Sequence, residues 1–127
     1  TTSLAAMWSA TNTTYGGSKA GHEALAAVMA RELDGTGVTS NVLVPGGNTY
    51  TAMTASFLGE KRKEELIPAN IMKAPYRWLA SDASSHFTGQ RIVAYNWDEN
   101  LPLENRLQIA AAPAAWPQLG GFPRSRG

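Results

Sequence analysis

The sequence contains no cysteine among its 127 residues, so disulfide bonds and thiolate metal sites are excluded. It also has no apolar run close to the ~20 residues that a membrane-spanning helix requires. Neither sign of charge dominates, because 11 Lys and Arg stand against 10 Asp and Glu, for a formal net charge of +1. Nucleic acid and anionic membrane surfaces both need a concentrated basic patch, so we expect neither as a partner.

No basic segment followed by an apolar one opens the given sequence, so these residues predict no export signal. The two histidines, His22 and His86, have no second His, Asp or Glu at a spacing typical of a metal site, and we expect no metal. The composition is otherwise that of a globular domain, with 43% hydrophobic and 17% charged residues. We therefore expect a soluble cytoplasmic protein.

What the sequence does contain is a tyrosine and a lysine four residues apart, Tyr15 and Lys19, in the segment Tyr-Gly-Gly-Ser-Lys. An alanine-rich run follows, and residues 14–33 are predicted to form one helix. Side chains four residues apart on a helix lie on the same face. An ammonium fixed beside the phenol would stabilise the phenolate, which makes Tyr15 a candidate general acid and base. The same spacing also occurs by chance, as an aromatic ring lying against a lysine stem.

The segments around this pair follow a definite order. Ser3 stands twelve residues before Tyr15, and glycines at 35 and 37 end the predicted helix. Residues 38–44 then form a predicted hydrophobic strand that carries an asparagine and ends in Pro45 and Gly46. This order resembles the C-terminal half of the short-chain dehydrogenase/reductase family, in which a serine precedes a Tyr-x-x-x-Lys helix, a strand and a Pro-Gly turn. The match is dense over residues 3–53 and thinner through residue 97.

The resemblance implies an α/β fold, namely the C-terminal half of a Rossmann-type doubly wound parallel sheet. We expect residues 1–98 to form this half, with parallel strands at 38–44 and 91–95. Residues 99–127 hold four of the seven prolines, and we expect them to be an extension that packs loosely or reaches a neighbouring subunit. The final residues 120–127 are expected to be disordered.

The predicted long helix carries two kinds of apolar residue. Leucine, valine and methionine at 25, 28, 29 and 33 form one stripe, and alanines at 20, 24 and 27 lie along an adjacent face. One face is expected to lie on the sheet. The alanine face is either an internal seam or a contact between subunits, as in the family, where this helix pairs with its counterpart. Glu23, Arg31 and Glu32 are expected to be solvated.

Between the two predicted strands, the charged helical segment at 57–66 corresponds to the mobile substrate lid of the family. A further helix is predicted from residue 68 to 81. Ligands bind at the carboxyl ends of strands in such sheets, which directs attention to the turn after residue 44.

The resemblance also implies roles for individual residues. Tyr15 would be the general acid and base, Lys19 would tune it and bind the nicotinamide ribose, and Ser3 would hold the substrate oxygen. The family more often has one further residue between this serine and the tyrosine, so Thr2 stays open as the alternative. The cofactor would be NAD or NADP.

The turn that passes under the nicotinamide in the family corresponds here to Pro45, Gly46 and Gly47. Its usual hydroxyl, a threonine shortly before a methionine, best matches Thr51. Because the loop is about one residue longer than the commonest form, Thr49 stays in consideration. All these residues are cofactor-binding candidates.

A dinucleotide-binding fold carries a glycine-rich phosphate loop after its first strand. The glycine pairs at 16–17, 46–47 and 120–121 do not have that arrangement, and the sequence opens without a methionine. We therefore expect the C-terminal half of a protein about twice as long, with the adenine half of the cofactor bound elsewhere. We expect this piece to be inactive alone.

The predicted reaction is hydride transfer between a nicotinamide cofactor and a small-molecule carbonyl/alcohol substrate, in a homo-oligomeric enzyme. Related enzymes epimerise or dehydrate with the same Tyr-Lys pair, so the fold alone does not fix the reaction. A non-catalytic truncated module that associates through its alanine-rich helix is a further alternative. The last is a protein of another α/β class in which the Tyr-Lys pair is a coincidence.

Overall fold

The computed structural model describes residues 7, 10, 13–58 and 64–117, and it is a mixed α/β structure. The longer elements are α1 (Thr13–Glu32), β1 (Val42–Val44), α2 (Ala52–Leu58), α3 (Lys73–Leu79), β2 (Gln90–Val93), α4 (Leu103–Ala110) and β3 (Ala111–Pro113). Short 3-10 segments lie at Ala69–Met72, Asp82–Ser84 and Ala94–Asn96. The predicted α/β class and the long helix are thus confirmed.

The three strands form one sheet in the order β1, β2, β3. β1 and β2 run parallel, with Val42 opposite Arg91 and Val44 opposite Val93. β3 pairs with β2 in the antiparallel sense, with Ala112 opposite Arg91. Both predicted strands are shorter than expected, because residues 38–41 are not paired as a strand and the chain turns into a 3-10 segment at Ala94.

Helices cover both faces of this sheet. On one face Val42 and Val44 pack against Ala26 and Ala27 of α1. On the other face Ile92, which is fully buried, packs with the Trp97 ring, and partly buried side chains of α3 and α4 complete that cluster: Ala74, Trp78, Leu79 and Leu107. Successive side chains of β1 and β2 therefore enter two separate core clusters, one on each face of the sheet. This is the arrangement of strands that are buried on both faces.

The stripe of leucine, valine and methionine on α1 does not lie on the sheet. Leu25, Val28 and Met29 are 55%, 49% and 42% exposed, whereas Ala30 is buried and Ala26 and Ala27 are half-buried. Alanines let the helix axis approach the strands closely, so the small residues face the sheet and the larger ones face outward. The sequence left open whether the alanine face lies on the sheet; in the structure Ala27 of that face packs against the sheet, whereas Ala24 is exposed.

Glu23 was also expected on the solvated face, and this expectation was wrong. Its side chain is fully buried under α1, where it forms an ion pair with Arg91 of β2. The carboxylate faces the sheet because residue 23 lies on the same helical face as Ala26, Ala27 and Ala30.

Residues 99–117 are packed more closely than expected. Ala110 and Ala114 are 3% and 6% exposed and belong to the two core clusters. The Arg106 guanidinium donates to the carbonyl oxygens of Asp98, Glu99 and Leu101 at 2.8–3.0 Å, which fixes the turn before α4. The domain division at residue 98 stays a prediction, and the predicted disorder at 120–127 lies outside the described residues.

Among the described helices, none combines the length and the apolar character needed to cross a bilayer.

Candidate active site

Tyr15 and Lys19 lie one turn apart near the start of α1. The Lys19 Nζ atom lies over the Tyr15 ring, 5.5 Å from its centroid. Tyr15 is 39% exposed and Lys19 is half-buried, so the phenol is open to a ligand while the lysine stem is partly covered. The two side chains therefore share one small volume, as the helical spacing requires.

The anchors of α1 show that it runs antiparallel to β1 and β2. The Ser40 hydroxyl, at the amino end of β1, donates to the Ala26 carbonyl at 3.0 Å, and Glu23 meets Arg91 farther along the sheet. Two strand residues span about 6.6 Å, or about four helical residues. By this spacing we infer that Lys19 lies about level with Val93 and that Tyr15 lies beyond the carboxyl ends of the strands, where such sheets bind ligands.

The turn after β1 joins the carboxyl ends of the two parallel strands. The Pro45 carbonyl accepts a hydrogen bond from the Tyr95 amide at 3.0 Å. Gly46 has a φ of +104°, and a Cβ there would lie 2.8 Å from Val93 Cγ1 and 2.9 Å from Tyr95 Cβ. Both the backbone angle and the lack of space require glycine at this position.

The loop beyond this turn is fastened to residue 67. The Ile67 amide donates to the Asn48 carbonyl at 2.8 Å, and the Tyr50 amide donates to the Ile67 carbonyl at 2.9 Å. Thr49 and Ile67 thus form a short parallel bridge, and Gly47 lies against the Ile67 side chain. The segment that contains the predicted lid at 57–66 is therefore held where it begins and ends, by the pairing of residues 48–50 with Ile67; residues 59–63 of the predicted lid lie outside the described residues.

Thr51 immediately precedes α2 and caps it. Its hydroxyl accepts from the Thr54 amide at 3.3 Å, while the Thr54 hydroxyl accepts from the Thr51 amide at 2.8 Å. This reciprocal pair is a capping box in which threonine stands in the place of the usual glutamate. The Thr54 hydroxyl also donates to the Thr49 carbonyl at 2.7 Å. Thr54, which the sequence analysis did not single out, therefore fixes both candidate threonines.

The remaining candidates stand as follows. Ser3 and its alternative Thr2 lie outside the described residues. The half-buried Thr49 hydroxyl donates to the Gly47 carbonyl at 3.3 Å, so both Thr49 and Thr51 remain candidates for binding a cofactor.

Two structural roles escaped the sequence analysis. The Asn41 side chain accepts from the Gln90 amide at 3.1 Å and donates to the Phe87 carbonyl at 2.6 Å, which joins the amino ends of β1 and β2. The Glu23–Arg91 ion pair is the second. A usable signal was present for Arg91 alone, because it is a charged residue within a hydrophobic predicted strand.

The hydrogen-bonding groups of these residues can be compared with those of a nicotinamide cofactor. Hydroxyls at Tyr15, Thr49 and Thr51 and the ammonium of Lys19 are suited to a ribose diol and a carboxamide. The set fits the nicotinamide half of a dinucleotide. Three surface clefts of about 260–300 Å³ lie elsewhere, and Tyr15 and Lys19 line none of them. The described residues contain no group of three or more potential metal ligands.

Comparison with known proteins gives one family match. Residues 1–62 match the family model described as short chain dehydrogenase. The matched range contains Tyr15, Lys19, the turn at 45–47 and both candidate threonines. No curated protein and no solved structure matches the chain.

Proposed function

We propose that this chain, whose residues 1–62 match the short chain dehydrogenase family model, supplies the acid–base half of an NAD- or NADP-dependent oxidoreductase. The observation that carries this proposal is the pairing of Tyr15 with Lys19, whose Nζ lies 5.5 Å from the ring centroid. The position of the pair beyond the carboxyl ends of two parallel strands supports it. The proposed substrate is a small molecule with a carbonyl or alcohol group.

In the proposed reaction each residue acts on one atom. Tyr15 donates its phenolic proton to the oxygen of the carbonyl substrate as negative charge develops there, and accepts it back in the reverse direction. Lys19 stabilises the phenolate that forms, and binds the nicotinamide ribose. Ser3 donates a hydrogen bond to the substrate oxygen. A bound nicotinamide supplies or accepts the hydride.

The proposed cofactor contacts come from the loop after β1. Pro45, Gly46 and Gly47 would pass beneath the nicotinamide, and a threonine hydroxyl, Thr51 or Thr49, would bind it. Pairing of this loop with Ile67 supports a preformed contact surface, because both of its ends are fixed before any ligand arrives. The proposal includes the expectation that the adenine half is bound by residues other than these 127.

We also propose that the enzyme is a homo-oligomer assembled through the outer face of α1. Leu25, Val28 and Met29 are exposed there, and nothing lies within 4 Å of a Cβ built at Gly17 or Gly21. A helix with small residues at one end and large apolar residues at the other can pack closely on a symmetry-related copy.

Substitution of Tyr15 tests the proposed function. In an enzyme that contains this chain, Tyr15→Phe removes the exchangeable proton alone, so the rate should fall 10²–10⁴-fold while cofactor affinity stays nearly unchanged. Lys19→Ala should damage both rate and cofactor affinity. Tyr76→Phe is the matched control, because this exposed tyrosine lies on α3, and it should leave both unchanged.

Carbonyl-dependent oxidation of NADH or NADPH measures the rate, and equilibrium titration measures cofactor affinity. A Tyr15→Phe variant that keeps more than about a tenth of the rate would show that the phenol is not the general acid. Interconversion of substrate epimers with no net cofactor oxidation would instead assign the site to the epimerase alternative.

A further inference from the structure

A buried ion pair, Glu23 with Arg91, lies under the helix that carries Tyr15 and Lys19. Glu23 of α1 is 0% exposed and Arg91 of β2 is 7% exposed, and the Arg91 Nη1 donates to Glu23 Oε2. Charges removed from water are unfavourable unless each is paired and hydrogen-bonded. The ion pair therefore adds a buried, directional contact to the hydrogen bond between Ser40 and Ala26 that also anchors the helix.

The second oxygen of Glu23 receives a donor from the C-terminal segment. The Ala115 amide donates to Glu23 Oε1 at 3.4 Å. Ala114, the residue before it, is 6% exposed and packs with Val42 and Val44 in the cluster beneath α1. The chain after β3 thus contacts both the Glu23 carboxylate and the core cluster beneath α1.

The backbone of this segment is strained. Ala115 and Trp116 have φ angles of +59° and +49°, and consecutive non-glycine residues in the left-handed region are uncommon and unfavourable. Such a conformation persists only where surrounding contacts hold it. Here it turns the Ala115 amide toward the Glu23 carboxylate directly after β3, instead of letting the strand continue.

Glu23 is also placed to act on the catalytic candidates through the helix. It follows Lys19 by four residues and Tyr15 by eight, so the three side chains lie in successive turns on neighbouring faces. Rotation or translation of α1 relative to β2 would move all three together.

We propose that the Glu23–Arg91 ion pair is a positioning contact that sets α1, and with it Tyr15 and Lys19, against the sheet, and that residues 114–116 form a clamp that keeps this pair out of water. The positioning of Tyr15 and Lys19 for catalysis rests on the proposed function. The ion pair and the clamp do not.

Single and double substitutions test the ion pair in the 127-residue protein. Glu23→Gln and Arg91→Met each leave a buried group without its charge partner, so each should lower Tm by about 10–20 °C. The double variant Glu23→Leu with Arg91→Met replaces both charges by apolar groups and should recover most of this loss. Glu32→Gln, at the exposed end of the same helix, is the matched control. Single variants with the same Tm as the wild type would overturn the proposal.

Amide hydrogen exchange separates positioning from stability alone. In the double variant, amides at residues 17–23 should exchange at least tenfold faster than in the wild type, whereas amides of β1 stay protected. If the amides at residues 17–23 exchange at the same rate in the double variant as in the wild type, apolar packing positions the helix and the proposal fails. This readout requires no catalysis, so it is independent of the proposed function.

The clamp is tested by a pair of identical substitutions. Ala115→Val places a β-branched residue at a positive φ and should displace the amide from Glu23, which accelerates exchange at residues 17–23 severalfold. Ala112→Val, in an extended strand, should have no such effect, and Ala115→Gly should retain wild-type protection. Equal effects of the two valine variants, or none from either, would exclude the clamp.

In an enzyme that contains this chain, the double variant should lose kcat at least tenfold with KM for the carbonyl substrate nearly unchanged. Wild-type kcat in a double variant with accelerated exchange would show that the positioning has no catalytic role. A Tyr15→Phe variant with full activity would refute the proposed function and leave the ion pair result standing.

Discussion

At residue 46 two separate physical requirements coincide. Gly46 has a φ of +104°, and an added Cβ would lie 2.8 Å from Val93 Cγ1. Gly35 also has a positive φ, +76°, but nothing lies within 4 Å of a Cβ built there. A side chain at residue 35 would therefore meet backbone strain alone, whereas one at residue 46 would meet both backbone strain and a steric clash.

Gly46→Ala should therefore cost more stability than Gly35→Ala. The backbone angle alone costs about 1–2 kcal/mol at either site. The overpacking at residue 46 adds about 1–3 kcal/mol. Urea unfolding of the two variants measures the difference, and equal losses would mean that the turn after β1 has room that the structure does not show.

The substrate-oxygen donor can be assigned by separate substitutions of Ser3 and Thr2. We expect Ser3→Ala to lower kcat by about 10²-fold, the loss seen when one such donor is removed, and Thr2→Ala to lower it little. The matched pair controls for any general effect on this segment. The reverse ranking would assign the role to Thr2 and give the segment the length that is commonest in the family.

Prediction from sequence worked for residues whose spacing carries the information. Tyr15 and Lys19 meet because four helical residues make one turn, whatever the rest of the chain does. Glu23 could not be placed in the same way, because its burial depends on Arg91, 68 residues away. A charged residue is normally exposed, and only the tertiary partner overrides that expectation.

At the scale of elements, α1 was predicted within one residue at each end, but its orientation on the sheet was not. Its alanines and its larger apolar residues both form stripes, and periodicity does not say which stripe packs inward. β3 could not be predicted at all, because Ala-Ala-Pro at 111–113 has little strand propensity and is extended only through its pairing with β2.

The outward stripe of α1 yields a prediction about assembly. Leu25→Glu with Val28→Glu places two charges on the exposed apolar face and should convert a dimer or tetramer to smaller species without loss of helix. Ile109→Glu is the control, because Ile109 is equally exposed, at 52%, on α4. Light scattering with size-exclusion chromatography measures the mass, and an unchanged mass in the α1 variant would exclude this face as the interface.

At the scale of the whole molecule, helices lie on both faces of the sheet in the described part of the chain. Two or three strands with helices on one side would leave a broad apolar face exposed. Here α1 covers one face, α3 and α4 cover the other, and β3 pairs with the second edge of β2. The described part of the chain thus has a core on each side of the sheet. We therefore expect a near-UV circular dichroism signal, which reports fixed packing around aromatic side chains.

We propose that these 127 residues carry the acid–base half of a short-chain dehydrogenase site without the half that binds the cofactor phosphates. Carbonyl-dependent oxidation of NADPH, measured with a panel of ketones and aldehydes, tests it most directly. We predict no measurable rate from the 127-residue protein and a measurable rate when the same chain is joined to an N-terminal dinucleotide-binding half of the family. Robust turnover by the 127 residues alone, or none from the joined protein, would contradict the claim.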